Sequence, residues 1–233
     1  MRTWLVTGAS RGLGRHLVVQ LAARGDRVIA IARDAARLDA LAAQCAPGSV
    51  HALPLDLADA RAIRPALEAA ISACGGVDGA INNAGIGDYK PFLAHAEDEL
   101  LRILQVNLGA AMQVCHVVLP HLRARGGGHI VNIGSDLGRR PLANMAPYVA
   151  SKHGLLGLSL SLLREAKGDG IKVSLVNPGI IDTDFGGGSE GSRDPRGSLR
   201  PAELARQVIA ILDAPPGLVI DEITLHPLGQ DGF

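Results

Sequence analysis

Short apolar runs alternate with longer helix-forming stretches along nearly the whole chain, and this alternation limits the fold more than any other feature. The strand candidates cover residues 2–7, 27–32, 49–55, 77–82, 128–134, 171–176 and 217–225. Most, such as V-I-A-I-A and K-V-S-L-V, are continuously apolar. That is the pattern of strands covered on both faces in a parallel sheet. Helices are expected near 12–25, 34–45, 59–74, 97–124, 147–168 and 201–213. Asp59 is placed to cap the third, and Pro201 suits the first turn of the last. The implied fold class is α/β: a doubly wound parallel β-sheet of about seven strands, joined by right-handed crossovers and flanked by helices on both faces. At 233 residues the chain suits one domain, residues 1–233, rather than two small ones. Aromatic residues make up only 3%, so the core must be built from Val, Ile, Leu and Ala.

Bulk properties narrow the function. There are 23 basic and 23 acidic residues, a formal net charge of zero, which gives no electrostatic footprint for nucleic acid. No apolar run approaches the ~18 residues that span a bilayer. The N-terminus, M-R-T-W-L-V-T-G, enters a strand at once, leaving no room for a signal peptide. Cys45, Cys74 and Cys115 are widely spaced and odd in number, which suits free thiols in a cytoplasmic protein. The eight histidines show no metal-ligand spacing, so no metal is expected.

After the first strand comes T-G-A-S-R-G-L-G. Glycines here let the backbone turn sharply, and the next helix offers unpaired amides and the positive end of its dipole. Gly8, Ser10, Arg11, Gly12, Leu13 and Gly14 are therefore expected to cradle the pyrophosphate of a dinucleotide. At the end of the second strand an NAD site would place a carboxylate. This strand ends in Ala32, followed by Arg33. Together with Arg11, Arg33 suits a 2′-phosphate, since guanidinium matches phosphate with a planar fork of donors. NADP(H) is favoured on this reading. NAD(H) stays open, because Asp34 follows and can turn inward.

A second constellation reads S-x12-Y-V-A-S-K, from Ser135 through Tyr148 to Lys152. An unperturbed tyrosine has a pKa of about 10 and is a poor proton donor and acceptor at neutral pH. A lysine one turn along the same helix face favours the phenolate and is expected to lower that pKa. Such a tyrosine can exchange a proton with a carbonyl oxygen.

The motifs together resemble the short-chain dehydrogenase/reductase family, in its single-domain form. They are T-G-A-S-R-G-L-G at 7–14, L-D-L at 55–57, N-N-A-G at 82–85, V-N at 106–107, I-V-N-I-G-S at 130–135, Y-V-A-S-K at 148–152 and N-P-G-I-I-D-T at 177–183. The resemblance implies a Rossmann-like sheet and an NAD(P)-dependent oxidoreductase acting on CH–OH or C=O groups. It implies Tyr148 as general acid, Ser135 as donor to the substrate oxygen, and Lys152 on the nicotinamide ribose. Asn107 would bend its helix and hold a water that links Lys152 to solvent. Asp56 would bind the adenine amino group beside Leu57, and Asn83, Ala84 and Gly85 would line the cofactor. Pro178, Gly179, Ile181 and Thr183 would meet the nicotinamide end.

Three further expectations follow. The glycine-rich segment 184–200 reads as a flexible substrate lid. Asp136, Arg139 and Arg140 bring charge to the substrate mouth, where Arg139 or Arg140 would meet a polar or anionic group. Helices 97–124 and 147–168 are apolar on more than one face, which suggests a homodimer or homotetramer, whereas Pro227 interrupts the terminal strand. A dinucleotide sensor without turnover is the main alternative on the same fold. A serine hydrolase is disfavoured, because Ser135 lies in I-G-S-D-L rather than a G-x-S-x-G elbow.

Overall fold

The computed structural model describes residues 1–230. Seven parallel strands form one sheet: β1 Thr3–Thr7, β2 Arg27–Ala32, β3 Val50–Pro54, β4 Gly79–Asn82, β5 Gly128–Ile133, β6 Ile171–Pro178 and β7 Glu222–Leu225. Their spatial order is β3-β2-β1-β4-β5-β6-β7. The order reverses between β1 and β4, and ligands of such sheets bind outside the carboxyl ends of the strands at that reversal.

The helices are α1 Gly12–Ala23, α2 Ala35–Ala43, α3 Ala60–Ala73, α4 Glu97–Leu104, α5 Ala110–Ala124, α6 Ala146–Ala166 and α7 Pro201–Leu212. Their ends follow local chemistry. Asp34 accepts from the amide of Arg37 to cap α2, Asp59 accepts from Arg61 and Ala62 to cap α3, and Pro201 opens α7. The expected strand at 217–225 pairs only from Glu222 onward, where it runs beside Leu175–Pro178 of β6. It stops at Leu225, two residues before Pro227.

Alternate residues of each strand feed two cores. Leu5, Ile29, Ile31, Ala80 and Ile130 pack with α3, α5 and α6. Their neighbours Trp4, Val6, Val28, Ala30 and Val131 pack with α1, α2 and α7. This explains why the strands read as unbroken apolar runs. Leu17, Leu21 and Val208 are fully buried in the second core, and each such side chain contributes roughly 1.5–3 kcal/mol.

Helices α4 and α5 form one rod of 28 residues, joined by a π-helical turn at Gln105–Gly109. The rod is long and apolar enough to cross a membrane, with a mean hydropathy of 1.4 in its most apolar stretch. Half of that stretch is buried in the protein, however, with Val114, Val117, Val118 and Leu122 in the first core. The rod spans the helix expected at 97–124 and its apolar faces; Gln105, Asn107 and Gln113 interrupt the linear apolar run and keep it from reading as a membrane span.

Candidate active site

The glycine turn sits at the carboxyl end of β1, beside the reversal in strand order. Gly8 and Gly12 hold φ of 66° and 51°, the left-handed region that side chains disfavour. Helix α1 begins at Gly12, so its first amides face the same space. A Cβ on Gly14 would stand 2.1 Å from the carbonyl oxygen of Gly8. Only glycine lets this helix lie so close to the turn. Asn83 fastens the turn to β4: its Nδ2 donates to the carbonyls of Thr7 at 2.9 Å and Gly8 at 3.2 Å. The Thr7 hydroxyl accepts from the amides of Asn83 and Ala84.

One cavity of about 850 Å³ runs along this edge of the sheet, a size typical of small-molecule sites. It is lined by Gly8, Ser10, Arg11, Gly12 and Leu13 from the turn, Arg33 after β2, and Asp56 and Leu57 after β3. Asn83, Ala84 and Gly85 line its middle, and Ser135, Tyr148, Lys152, Pro178, Gly179, Ile181 and Thr183 its far end. A turn with unpaired amides, glycines that admit close approach and a groove of this length fit a nicotinamide dinucleotide.

Two expected residues lie off the wall. Gly14 is packed against Gly8, and Asn107 stands behind Gly85. Asp34 does not turn inward; it caps α2 and pairs with Arg37 at 3.2 Å. Arg33 is thus the residue of that pair on the cavity wall, while Arg11 stands 3.8 Å from Asp184.

Helix α6 carries Tyr148 and Lys152 one turn apart, both buried. Ser135 and Tyr148 share the far end of the cavity wall. Lys152 Nζ donates to the carbonyl of Ile133 at 2.8 Å. A Cβ on Gly85 would lie 3.8 Å from Lys152 Nζ and 3.7 Å from Asn107 Oδ1, so both side chains approach that glycine. The Asn107 side chain accepts from the Ile86 amide and donates to the Ile86 carbonyl, both at 2.8 Å, and to the Ser151 hydroxyl at 3.0 Å. It lies in the π-helical turn at Gln105–Gly109.

The expected acidic tyrosine is not what the site produces by itself. Burial pushes the Tyr148 phenol up to about 12; the Ser135 hydroxyl opposes this and the Asp136 charge adds to it. Burial also pulls Lys152 down to about 8. Removing both groups from water outweighs the attraction that their spacing promised.

The substrate end differs from expectation in three ways. Arg139 bonds Glu222, with Nε 2.9 Å from Oε1, and is absent from the cavity wall. Arg140 does line it, but donates to Asp136 at 3.1 Å. An anion therefore meets no uncommitted arginine at this position. The segment 184–200 does reach the cavity, through Asp184, Phe185, Gly186 and Arg193. It is tied down by Asp182, which is buried and accepts from the amides of Gly191 and Arg193 and from the Arg200 guanidinium. Thr183 accepts from the Phe185 amide at 3.3 Å as this segment starts.

Sequence reading missed Tyr89 and Gln230 on the wall, and placed Phe185 there only as part of the 184–200 segment. The Phe185 ring lies 5.5 Å from the Tyr148 ring. Gln230 returns from the end of the chain; it accepts from the Ile180 amide and donates to Asp136, both at 2.9 Å. Asp182 lies inside N-P-G-I-I-D-T, yet nothing in that motif announces its hold on the lid.

Comparison with known proteins bears directly on this geometry. Residues 2–192 match the family model described as short chain dehydrogenase. L-xylulose reductase of Mesocricetus auratus is 39% identical over 186 residues, which cover 79% of this chain and 74% of that protein. An alcohol dehydrogenase from the archaeon Thermococcus sibiricus, complexed with 5-hydroxy-NADP, superposes with a TM-score of 0.93 at 28% identity, covering 100% of this chain and 99% of the other. The 3-ketoacyl-(acyl-carrier-protein) reductase of Brucella melitensis, complexed with NADH, gives 0.89 at 26% identity, with 98% of each chain covered. Sequence, sheet order and the assembled serine, tyrosine and lysine agree: the chain belongs to the short-chain dehydrogenase/reductase family and is an oxidoreductase of CH–OH and C=O groups.

Proposed function

We propose that this chain is an NADP-dependent carbonyl reductase, with Tyr148 exchanging the proton of the reaction. The observation that carries the proposal is the gathering of Ser135, Tyr148 and Lys152 at the far end of the groove that begins at the glycine turn. A bound nicotinamide supplies hydride to the carbonyl carbon. In reduction, Tyr148 gives its proton to the carbonyl oxygen. Ser135 donates a hydrogen bond to the same oxygen and stabilises the charge that develops there. Lys152 holds the ribose hydroxyls, and Asn107 steadies the wide helical turn beside it and holds a water that links the ammonium to solvent. A phenol held in its protonated form well above neutral pH suits the reducing direction.

Arg33 and Arg11 would take the 2′-phosphate, and Asp34, committed to α2, does not compete. A screen of ketones and aldehydes, following NADPH and NADH absorbance separately, tests the reading. It expects NADPH consumption with a subset of carbonyls; cofactor binding with no turnover across the panel would leave the sensor alternative instead. We further propose a homodimer or homotetramer. Leu101, Leu104 and Met112 are exposed along α4 and α5, and light scattering should give a mass above that of one chain.

A further inference from the structure

The wall beside Ser135 holds a buried carboxylate for which the proton exchange at Tyr148 has no use. Asp136 is 7% exposed and lines the cavity. Its Oδ2 is saturated: Gln230 Nε2 donates at 2.9 Å, Arg140 Nη2 at 3.1 Å, and His226 Nε2 stands at 3.5 Å. At Oδ1, the donor among the described residues is the Ser135 hydroxyl, at 3.1 Å.

That last bond conflicts with turnover. A serine hydroxyl has one proton. When Ser135 turns it to a substrate carbonyl, Oδ1 loses its donor. Leaving a buried carboxylate oxygen without one is unfavourable. A substrate that brings its own donor next to the carbonyl removes the conflict.

We propose that Asp136 selects the substrate and that the substrate class is α-hydroxy carbonyl compounds, ketones or aldehydes with a hydroxyl on the neighbouring carbon. The proposal rests on the carbonyl-reductase reading above. On binding, the Ser135-to-Oδ1 hydrogen bond breaks and two form: Ser135 to the carbonyl oxygen, and the substrate hydroxyl to Oδ1. No proton changes owner in this exchange. The carbonyl then gains hydride at carbon and the Tyr148 proton at oxygen, and the neighbouring hydroxyl is left intact. Charge argues for a neutral donor. Arg140 already balances Asp136, so an ammonium adds an uncompensated charge, and the carboxylate of a 2-oxo acid faces Asp136 directly.

The test compares hydroxyacetone with butanone, which differ by a hydroxyl in place of a methyl group. Each kcat/KM is divided by the rate of reduction with borohydride, to remove intrinsic reactivity. The wild-type protein should favour hydroxyacetone by about tenfold or more. Aminoacetone and pyruvate should both fall below hydroxyacetone. In Asp136→Asn the amide oxygen stays with Gln230 and Arg140, and its NH2 faces Ser135, where it cannot accept. The preference should then shrink to within about threefold. A second readout needs neither the variant nor turnover: propane-1,2-diol should bind the NADPH-loaded wild type about tenfold more tightly than butan-2-ol. Equal normalised rates, equal binding of the two alcohols, a higher rate with aminoacetone, or an unchanged preference in a folded Asp136→Asn protein would each overturn the proposal while sparing the reductase reading. Failure of every carbonyl to oxidise NADPH or NADH would overturn both.

Discussion

Lys152 Nζ donates to the backbone carbonyl of Ile133 at 2.8 Å and lies 5.5 Å from the centroid of the Tyr148 ring. Both titrating groups of the site are nonetheless displaced toward their neutral forms, the lysine to about 8 and the tyrosine to about 12. Burial is the leading cause for each. The consequence for pH can be worked out. Between about pH 8 and 10.5 the folded protein binds fewer protons at Lys152 than the unfolded chain, so stability rises with pH across that window. The gain is roughly 3 kcal/mol at most. Above pH 10, Tyr148 acts in the opposite sense. Chemical denaturation at pH 8 and 10 should show the rise, and Lys152→Met should abolish it.

Tyr148→Phe removes the proposed proton donor and keeps the ring against Phe185. Carbonyl reduction should fall by at least about 100-fold, while the dissociation constant for NADPH, measured by fluorescence, changes far less. Substantial residual turnover would assign the proton to another group.

Arg33→Ala bears on coenzyme choice. Arg33 is exposed on the cavity wall, where a 2′-phosphate would lie. Charge-assisted hydrogen bonds to a charged group contribute about 1.5–3 kcal/mol, so KM for NADPH should rise by one to two orders of magnitude with little change for NADH. Parallel losses with both cofactors would contradict the assignment.

Asp182 is fully buried and holds three donors from the segment that follows it. Asp182→Ala leaves those donors without their acceptor, at a local cost of about 1–3 kcal/mol. Limited proteolysis should cut within 184–200 much faster in the variant, and substrate KM should rise. An unchanged cleavage rate would mean that the segment is held by other contacts.

His129 reports on acid stability. It is buried in β5, bonded to Ser174 at 2.8 Å, and burial pulls it down to about 4, helped by Lys172 and Arg2. Its folded pKa lies below its ordinary value near 6.5. The stability it contributes is complete above about pH 6.5 and is lost as pH falls through about 4. His129→Gln should flatten unfolding free energy across this interval.

Much of this was written in the chain's local chemistry. Asp34, Asp59 and Pro201 mark helix starts to within a residue because capping is decided by near neighbours. The glycine turn and the Tyr148–Lys152 pair are equally local. The unread parts depend on distance or on depth. Gln230 meets Asp136 across 94 residues, which no spacing rule anticipates. The displaced tyrosine and lysine follow from how completely α6 is covered, and the four-residue interval between them carries no information about that. Arg139 and Arg140 looked alike in sequence; one leans to Glu222 on β7 and the other to Asp136.

The π-helical turn at Gln105–Gly109 acts as a phase shifter within the long rod. One surplus residue in a helix turns everything beyond it by about 100°. Excising a single residue there would rewind the rod and swing Val114, Val117 and Val118 off the sheet, while Glu97–Leu104 kept its place. The extra residue thus lets two halves of one helix obey different masters, the far half the sheet and the near half the rim of the cavity, with Asn107 at the joint.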